Sequence, residues 1–169
     1  FGYFQSEKYF MEHKEYITDI LSPDSTTSMM IDLKYSHLLA EFPVAIHVRR
    51  GDYLESKMTH PTPPKEYYIN SMNLFEKDTV FLIFSDDIKW CRDTFVGKNV
   101  FFIENNPDYM DLYLISMCRG VIMSNSSFSW WGSWLNRTSS KIVISPKTWF
   151  GPSVSYNTKD LIPNEWRVL

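Results

Sequence analysis

Two arginines stand side by side where an apolar run stops, in His47-Val48-Arg49-Arg50-Gly51-Asp52-Tyr53. A guanidinium is permanently charged and grips phosphate through a planar fork, each charge-assisted hydrogen bond being worth roughly 1.5–3 kcal/mol. Two such cations leaving a β-strand call for an anion. Alternate residues of a strand share a face, so His47 and Arg49 are expected on one side and Val48 and Arg50 on the other, with Arg49 the ligand-facing member. A structural reading uses the same residues differently: Arg50 pairs with Asp52 and both arginines cap the sheet. The triplet Arg50-Gly51-Asp52 also matches an integrin-binding tripeptide, but its place beside a core strand argues against that use.

A second constellation is Ser124-Asn125-Ser126-Ser127-Phe128-Ser129-Trp130-Trp131-Gly132, a polar turn between an apolar strand and an amphipathic helix. Small hydroxyl residues and free backbone N–H groups at a helix start form a phosphate cradle. The plainer reading is an N-cap turn, with Ser126 or Ser127 capping and the tryptophans packed in the core. Asn125-Ser126-Ser127 and Asn136-Arg137-Thr138 are formal glycosylation sequons, the first expected to be too enclosed for use. Asp86 and Asp87 end another strand, and Asp108 and Asp111 open a helix facing the same crevice. Such carboxylates suit guanine N–H groups or ribose hydroxyls, and equally suit N-cap and first-turn positions. There is no Asp-x-Asp triplet, no His and carboxylate pair at metal-ligand spacing and no glycine-rich phosphate loop, so a metal-bridged diphosphate is disfavoured. Nothing resembles a G-x-S-x-G elbow or a Cys and His nucleophile.

The elements that must position these groups alternate. Short β-branched or aromatic runs at 44–48, 80–84, 100–103, 120–123 and 142–144 are separated by helix-length segments at 64–75, 87–95, 108–118 and 129–136. That alternation predicts an α/β fold with one doubly wound parallel sheet of five strands. Ligands of such sheets sit at the carboxyl ends of the strands, where His47–Asp52, Ser85–Asp87, Glu104–Asn106 and Ser124–Ser127 all fall. Residues 1–42 read as a helical lead-in, broken by the turn residues Ser22–Ser28 ahead of a short second helix, and residues 43–169 as the Rossmann-like domain.

Composition sets the bounds. The 169 residues carry a net charge of −3 with 44% hydrophobic residues, so the chain folds as a globule with no overall positive field for nucleic acid or an anionic membrane. Any anion site is local. Cys91 and Cys118 are too few for a disulfide framework or a zinc cluster and read as reduced thiols. The 12 Phe, 10 Tyr and 6 Trp bunch near the first residues and again from Phe128 to Trp134. The chain starts at Phe1, without a leader or a bilayer-spanning run, which suggests a segment upstream.

Five ordered runs carry a resemblance: Gly2 to Phe10, His47 to Tyr53, Phe84 to Asp87 with Trp90-Cys91, Ser124 to Gly132, and Trp149-Phe150. Together they resemble successive signatures of the α-1,2-fucosyltransferases, glycosyltransferase family 11, over nearly the whole chain. The resemblance implies the nucleotide-sugar-binding half of a GT-B-type enzyme, with 43–169 as the GDP-fucose-binding domain. It implies inverting, metal-independent transfer of fucose from GDP-fucose to a hydroxyl of an acceptor glycan, galactose-terminated or similar, with no cofactor. Arg49 resembles the arginine holding the β-phosphate and Ser127 a serine on the same phosphate, while His47 and Asp111 look like the guanine-recognising pair. Arg50, Asp86, Asn125 and Ser126 join them as donor-binding candidates. Asp52 and Glu55 are candidates for the general base, although related enzymes place theirs where this chain has Lys57. The glycine-rich G-G-x-G-N-Q segment that precedes the first signature in the family is not in this sequence, which favours a carboxyl-terminal donor-binding portion. An alternative is a non-catalytic GDP-sugar-binding or glycan-binding fragment. A cytoplasmic or membrane-peripheral bacterial-type enzyme fits, as does a Golgi enzyme whose anchoring segment is missing.

Overall fold

The computed structural model describes residues 2–169, so Phe1 of the expected lead-in lies outside the described residues. Strand β1 (Val44–Val48) is buried along its whole length, as a strand covered on both faces must be. It pairs in parallel with β2 (Phe81–Ser85) on one side and β4 (Gly120–Ile122) on the other. Beyond these lie β3 (Val100–Phe102), β5 (Ile142–Ser145) and β6 (Arg167–Val168), giving the order β3-β2-β1-β4-β5-β6. All five pairings are parallel. The five expected strands are present, each within a residue or two of its predicted bounds. The two-residue β6 was not foreseen, since it holds itself to the sheet edge by backbone bonds such as Leu169 N–H to the Ser145 carbonyl (3.0 Å) rather than by an apolar run.

Helices cover both faces. On the face of Ala45, Leu82, Phe84 and Val121, α2 (Ser25–Leu39) and α5 (Asp108–Ser116) bury Ile31, Tyr35, Leu38, Met110, Leu114 and Ile115. On the opposite face α3 (Lys65–Met72) and α4 (Ile88–Thr94) pack Tyr67, Tyr68 and Cys91 against Val44, Ile46, Val48 and Ile83. Helix α2 has 15 residues and starts inside the stretch expected to be a turn. Asp24 explains the difference: its carboxylate accepts from Thr27 N–H at 2.7 Å, so the Ser/Thr run becomes a capped first helical turn. Cys91 and Cys118 are both free and buried.

The third cluster joins the two aromatic bunches. Trp130 and Trp134 of α6 (Ser127–Leu135) pack with Trp149, Leu161 and Trp166, and Phe10 and Ile17 of the lead-in lie against them. Phe10 meets Trp134 edge-on at 4.7 Å, Trp131 donates its indole N–H to the Tyr3 carbonyl (3.0 Å) and Trp130 to that of Leu161 (2.7 Å). Trp130 and Trp131 thus have partners for their polar edges, whereas the buried Trp134 N–H has none among the described residues, and the lead-in, whose α1 spans Lys14–Ile20, is fastened behind α6.

The segment after β1 is held by the one after β5. Gly151 N–H donates to the Thr59 carbonyl (2.8 Å) and Ser153 N–H to that of Met58 (3.0 Å). A Cβ on Gly151 would stand 2.3 Å from the Met58 carbonyl oxygen, so the two backbones approach this closely only because residue 151 has no side chain. Gly151→Ala should lower stability by about 2 kcal/mol, which is roughly 4–8 °C in Tm. Gly2→Ala, whose Cβ meets nothing nearer than 3.8 Å, should leave the thermal melt unchanged.

Candidate functional site

The strand order reverses between β1 and β4, and open parallel sheets bind ligands at the carboxyl ends flanking such a switch point. Both chemical constellations lie there. His47, the fourth residue of β1, is 7% exposed. Its Nδ1 lies 3.0 Å from Ser124 Oγ across the switch point, and the Phe128 ring lies 5.2 Å from the imidazole. Tyr53 makes a second bridge, its hydroxyl donating to the Asn125 carbonyl at 3.4 Å.

The two arginines part as strand alternation requires. Arg50 turns to the α4 face, where its guanidinium sits 4.2 Å from the Trp90 ring and its Nε donates to Asp87 Oδ2 at 3.1 Å. Asp87 Oδ1 also caps α4 through Trp90 N–H (3.1 Å). Arg50, a donor-binding candidate from sequence, is therefore engaged in bracing the strand end. Its partner is Asp87 and not Asp52, which corrects the pairing considered above. Arg49 stands on the other side, 38% exposed, with Asp52 Oδ1 at 2.8 Å and Asp86 Oδ2 at 3.1 Å. Asp86 Oδ1 accepts Arg50 N–H at 2.9 Å, so Asp86 holds the turn and one edge of Arg49 together. Gly51 makes room for it, since a Cβ there would stand 2.7 Å from Asp86 Oδ2.

In the serine turn most polar groups are committed. Asn125 is buried and donates both amide hydrogens, to the carbonyls of Pro61 and Trp149 (2.8 Å each), which clamps the two loops that meet at Gly151. Ser126 is the N-cap, accepting Phe128 N–H at 3.3 Å, and Ser129 Oγ bonds back to the Ser124 and Ser126 carbonyls. Ser127, half-buried at the first position of α6, has no side-chain hydrogen bond to another described residue. Both sequon asparagines are buried, Asn136 donating to the Cys118 carbonyl, so the second is as enclosed as the first.

The remaining candidates divide. Asp111 lies in the first turn of α5 with Oδ1 accepting from Asn106 Nδ2 at 2.7 Å. Glu55 is exposed beyond the short 3-10 turn Asp52–Leu54. Sequence reading named Asp87 only as a strand-end carboxylate and Tyr53 and Asn106 only as members of longer runs, because the partners Arg50, Asn125 and the pair Lys34 and Tyr35 lie 37 to 72 residues away. Two cavities, about 590 Å³ beside Pro61–Pro64 and Pro146–Thr148 and about 390 Å³ between Leu21–Pro23 and α5, are lined by none of the candidates. No group of three or more metal-ligating side chains gathers among the described residues, and no helix there is long and apolar enough to cross a membrane.

Burial acts on two titrating groups with opposite sign. It lowers His47 to about 4, so the ring is neutral at pH 7, and raises Asp111 to about 6 against the Asn106 hydrogen bond and the Lys34 charge. Between pH 6.5 and 4 the unfolded chain takes up a proton at His47 that the folded chain refuses, so that share of stability is lost as pH falls. Asp111 opposes it, because between about pH 4 and 6 the folded state keeps a proton the unfolded state releases. His47→Gln should therefore lose about 3 kcal/mol less than the parent between pH 7 and 4, measured by urea melts. Equal losses would show that the buried imidazole does not govern this window.

The whole chain, residues 1–169, matches the sequence profile of glycosyl transferase family 11. Over 98% of its length it is 36% identical to an alpha-1,2-colitosyltransferase of Escherichia coli, covering 60% of that protein. Over the same share it is 31% identical to the O-antigen biosynthesis glycosyltransferase WbnK of Escherichia coli, covering 59%. Over 54% of its length it is 34% identical to galactoside alpha-(1,2)-fucosyltransferase 1 of Mus musculus, covering 27% of that protein. A crystal structure of NodZ alpha-1,6-fucosyltransferase soaked with GDP-fucose aligns with 66% of the chain and 42% of its own, at a TM-score of 0.46 and 16% identity. The chain thus spans about three-fifths of the length of the two Escherichia coli relatives. With the profile matched from end to end, the chain belongs to glycosyl transferase family 11.

Proposed function

We propose that this chain is the donor-binding portion of an inverting α-1,2-fucosyltransferase that takes GDP-fucose and transfers fucose to a hydroxyl of an acceptor glycan. One observation carries the reading: a half-exposed guanidinium, Arg49, and an uncommitted hydroxyl, Ser127, border the same switch point, while the groups around them are fastened to the scaffold. Cleavage of the C1–O bond sends an electron pair to departing GDP. Arg49 and the amino terminus of α6 meet that charge with fixed dipoles and a fixed cation, the usual dominant source of catalysis, so the reading requires no divalent cation. His47, neutral and seated on Phe128, and Asp111 take the guanine end.

Charge bookkeeping assigns Asp52 a part. Arg49 and Arg50 are faced by Asp52, Asp86 and Asp87, a net charge of −1 in a place meant for diphosphate. One carboxylate must leave Arg49, and Asp52, 65% exposed against 25% for Asp86, is the one free to turn. Displaced by the β-phosphate, it becomes a carboxylate beside the reacting carbon, able to accept the acceptor hydroxyl proton as the new C1–O bond forms. Glu55 is the other exposed carboxylate on this loop.

GDP should raise the melting temperature by mass action, and Arg49→Ala should weaken GDP by about 2 kcal/mol, roughly thirtyfold. A chain that responds to UDP or CDP as strongly as to GDP overturns the donor assignment. Asp52→Asn should shift the two readouts in opposite directions: GDP binds about fivefold tighter, the loss of a partly exposed ion pair, while fucosyl transfer falls by 100-fold or more. Weaker GDP binding in Asp52→Asn would contradict the displacement.

A further inference from the structure

Helix α2 reaches the far end of the crevice through one side chain. After β3 the chain passes Asn105 in a left-handed conformation (φ 60°), and Asn106 follows at the crevice end. Asn106 Oδ1 accepts from Lys34 Nζ at 2.6 Å and from the Tyr35 hydroxyl at 2.9 Å, both on α2. Its Nδ2 donates to Asp111 Oδ1 at 2.7 Å. Chemistry allows the amide only this orientation, since the flipped form would set its NH2 against an ammonium and its oxygen against a carboxylate. Tyr35 is 5% exposed and fixed in the core beside Ile31 and Leu38, so the relay starts from a rigid point.

Asp111 is thereby held by one oxygen. Oδ2 has no hydrogen bond from another described residue and Oδ1 keeps a second lone pair, so the anchored carboxylate can still meet two adjacent donors. A guanine edge offers N1–H and the 2-amino group as adjacent donors, whereas hypoxanthine lacks the 2-amino group. A carboxylate free to rotate gains little from the second donor, and one pinned through Oδ1 discriminates. We propose that Lys34, Tyr35 and Asn106 are positioning residues that aim Asp111 at the nucleotide base and set the preference for guanine, making α2 a working part of the donor site. The proposal rests on the GDP reading above.

Calorimetric titrations of the chain with GDP, inosine diphosphate and pyrophosphate test it. The parent should prefer GDP to inosine diphosphate by about tenfold, and Asp111→Asn should erase the preference. Asn106→Ala should reduce it to threefold or less and Tyr35→Phe, which keeps the core packing, should reduce it by about half, both with pyrophosphate affinity unchanged. If Asp111→Asn erases the preference while Asn106→Ala and Tyr35→Phe keep it, the relay is overturned and the GDP reading stands. If Asp111→Asn leaves the preference intact, or if the parent does not prefer GDP, the base contact itself fails and the relay with it. A matching loss of pyrophosphate affinity in Asn106→Ala and Tyr35→Phe would mark a general structural role and also overturn the proposal.

Discussion

Two neighbouring guanidinium groups cannot share one face of a strand, and the consequences of that constraint run through the molecule. Arg50 falls on the side of α4 and is consumed there by Trp90 and Asp87. Arg49 falls on the side of His47 and stays half-exposed. Asp86 ties the two halves by taking the Arg50 amide and the Arg49 side chain on its two oxygens, in space that exists because residue 51 is glycine. These ion pairs are individually worth little where solvent reaches them. Their value is positional, because they fix where the half-exposed Arg49 guanidinium stands relative to the amino terminus of α6.

The rest of the scaffold serves the same placement. The serine turn is clamped by Asn125 to Pro61 and Trp149, and braced behind by Trp130 and Trp134 against residues from both ends of the described chain. The lead-in contributes at two places, with Phe10 on the tryptophans and Tyr35 on Asn106. This arrangement gives the aromatic content of the sequence a physical role: the early and late bunches are two sides of one contact.

Much of this was legible from residue order, for identifiable reasons. A strand such as Val44–Val48, buried on both faces, is apolar except for His47, and the polar residues at its end mark the candidate site's edge. Three of the five signature runs, His47 to Tyr53, Phe84 to Asp87 and Ser124 to Gly132, lie at those edges. What was not legible depends on one local cap and otherwise on partners distant in sequence. The Ser22–Ser28 stretch reads as a turn until Asp24 is seen to cap it. The pairing of Arg50 with Asp87 needs the register of β1 on β2, and β6 exists only because the last residues dock on β5. Asn106 showed only as part of the strand-end run Glu104–Asn106, since its two α2 partners lie more than 70 residues away.

The central claim is that Arg49 is the phosphate anchor and that Asp52 yields its place to the donor. A crystal structure of the chain with GDP tests both together. The predicted result is the Arg49 guanidinium within about 3 Å of the β-phosphate oxygens, Asp86 still in contact with the Arg50 amide, and Asp52 turned away toward the space over the phosphate. A diphosphate bound elsewhere, with the Asp52–Arg49–Asp86 cluster intact, would contradict it.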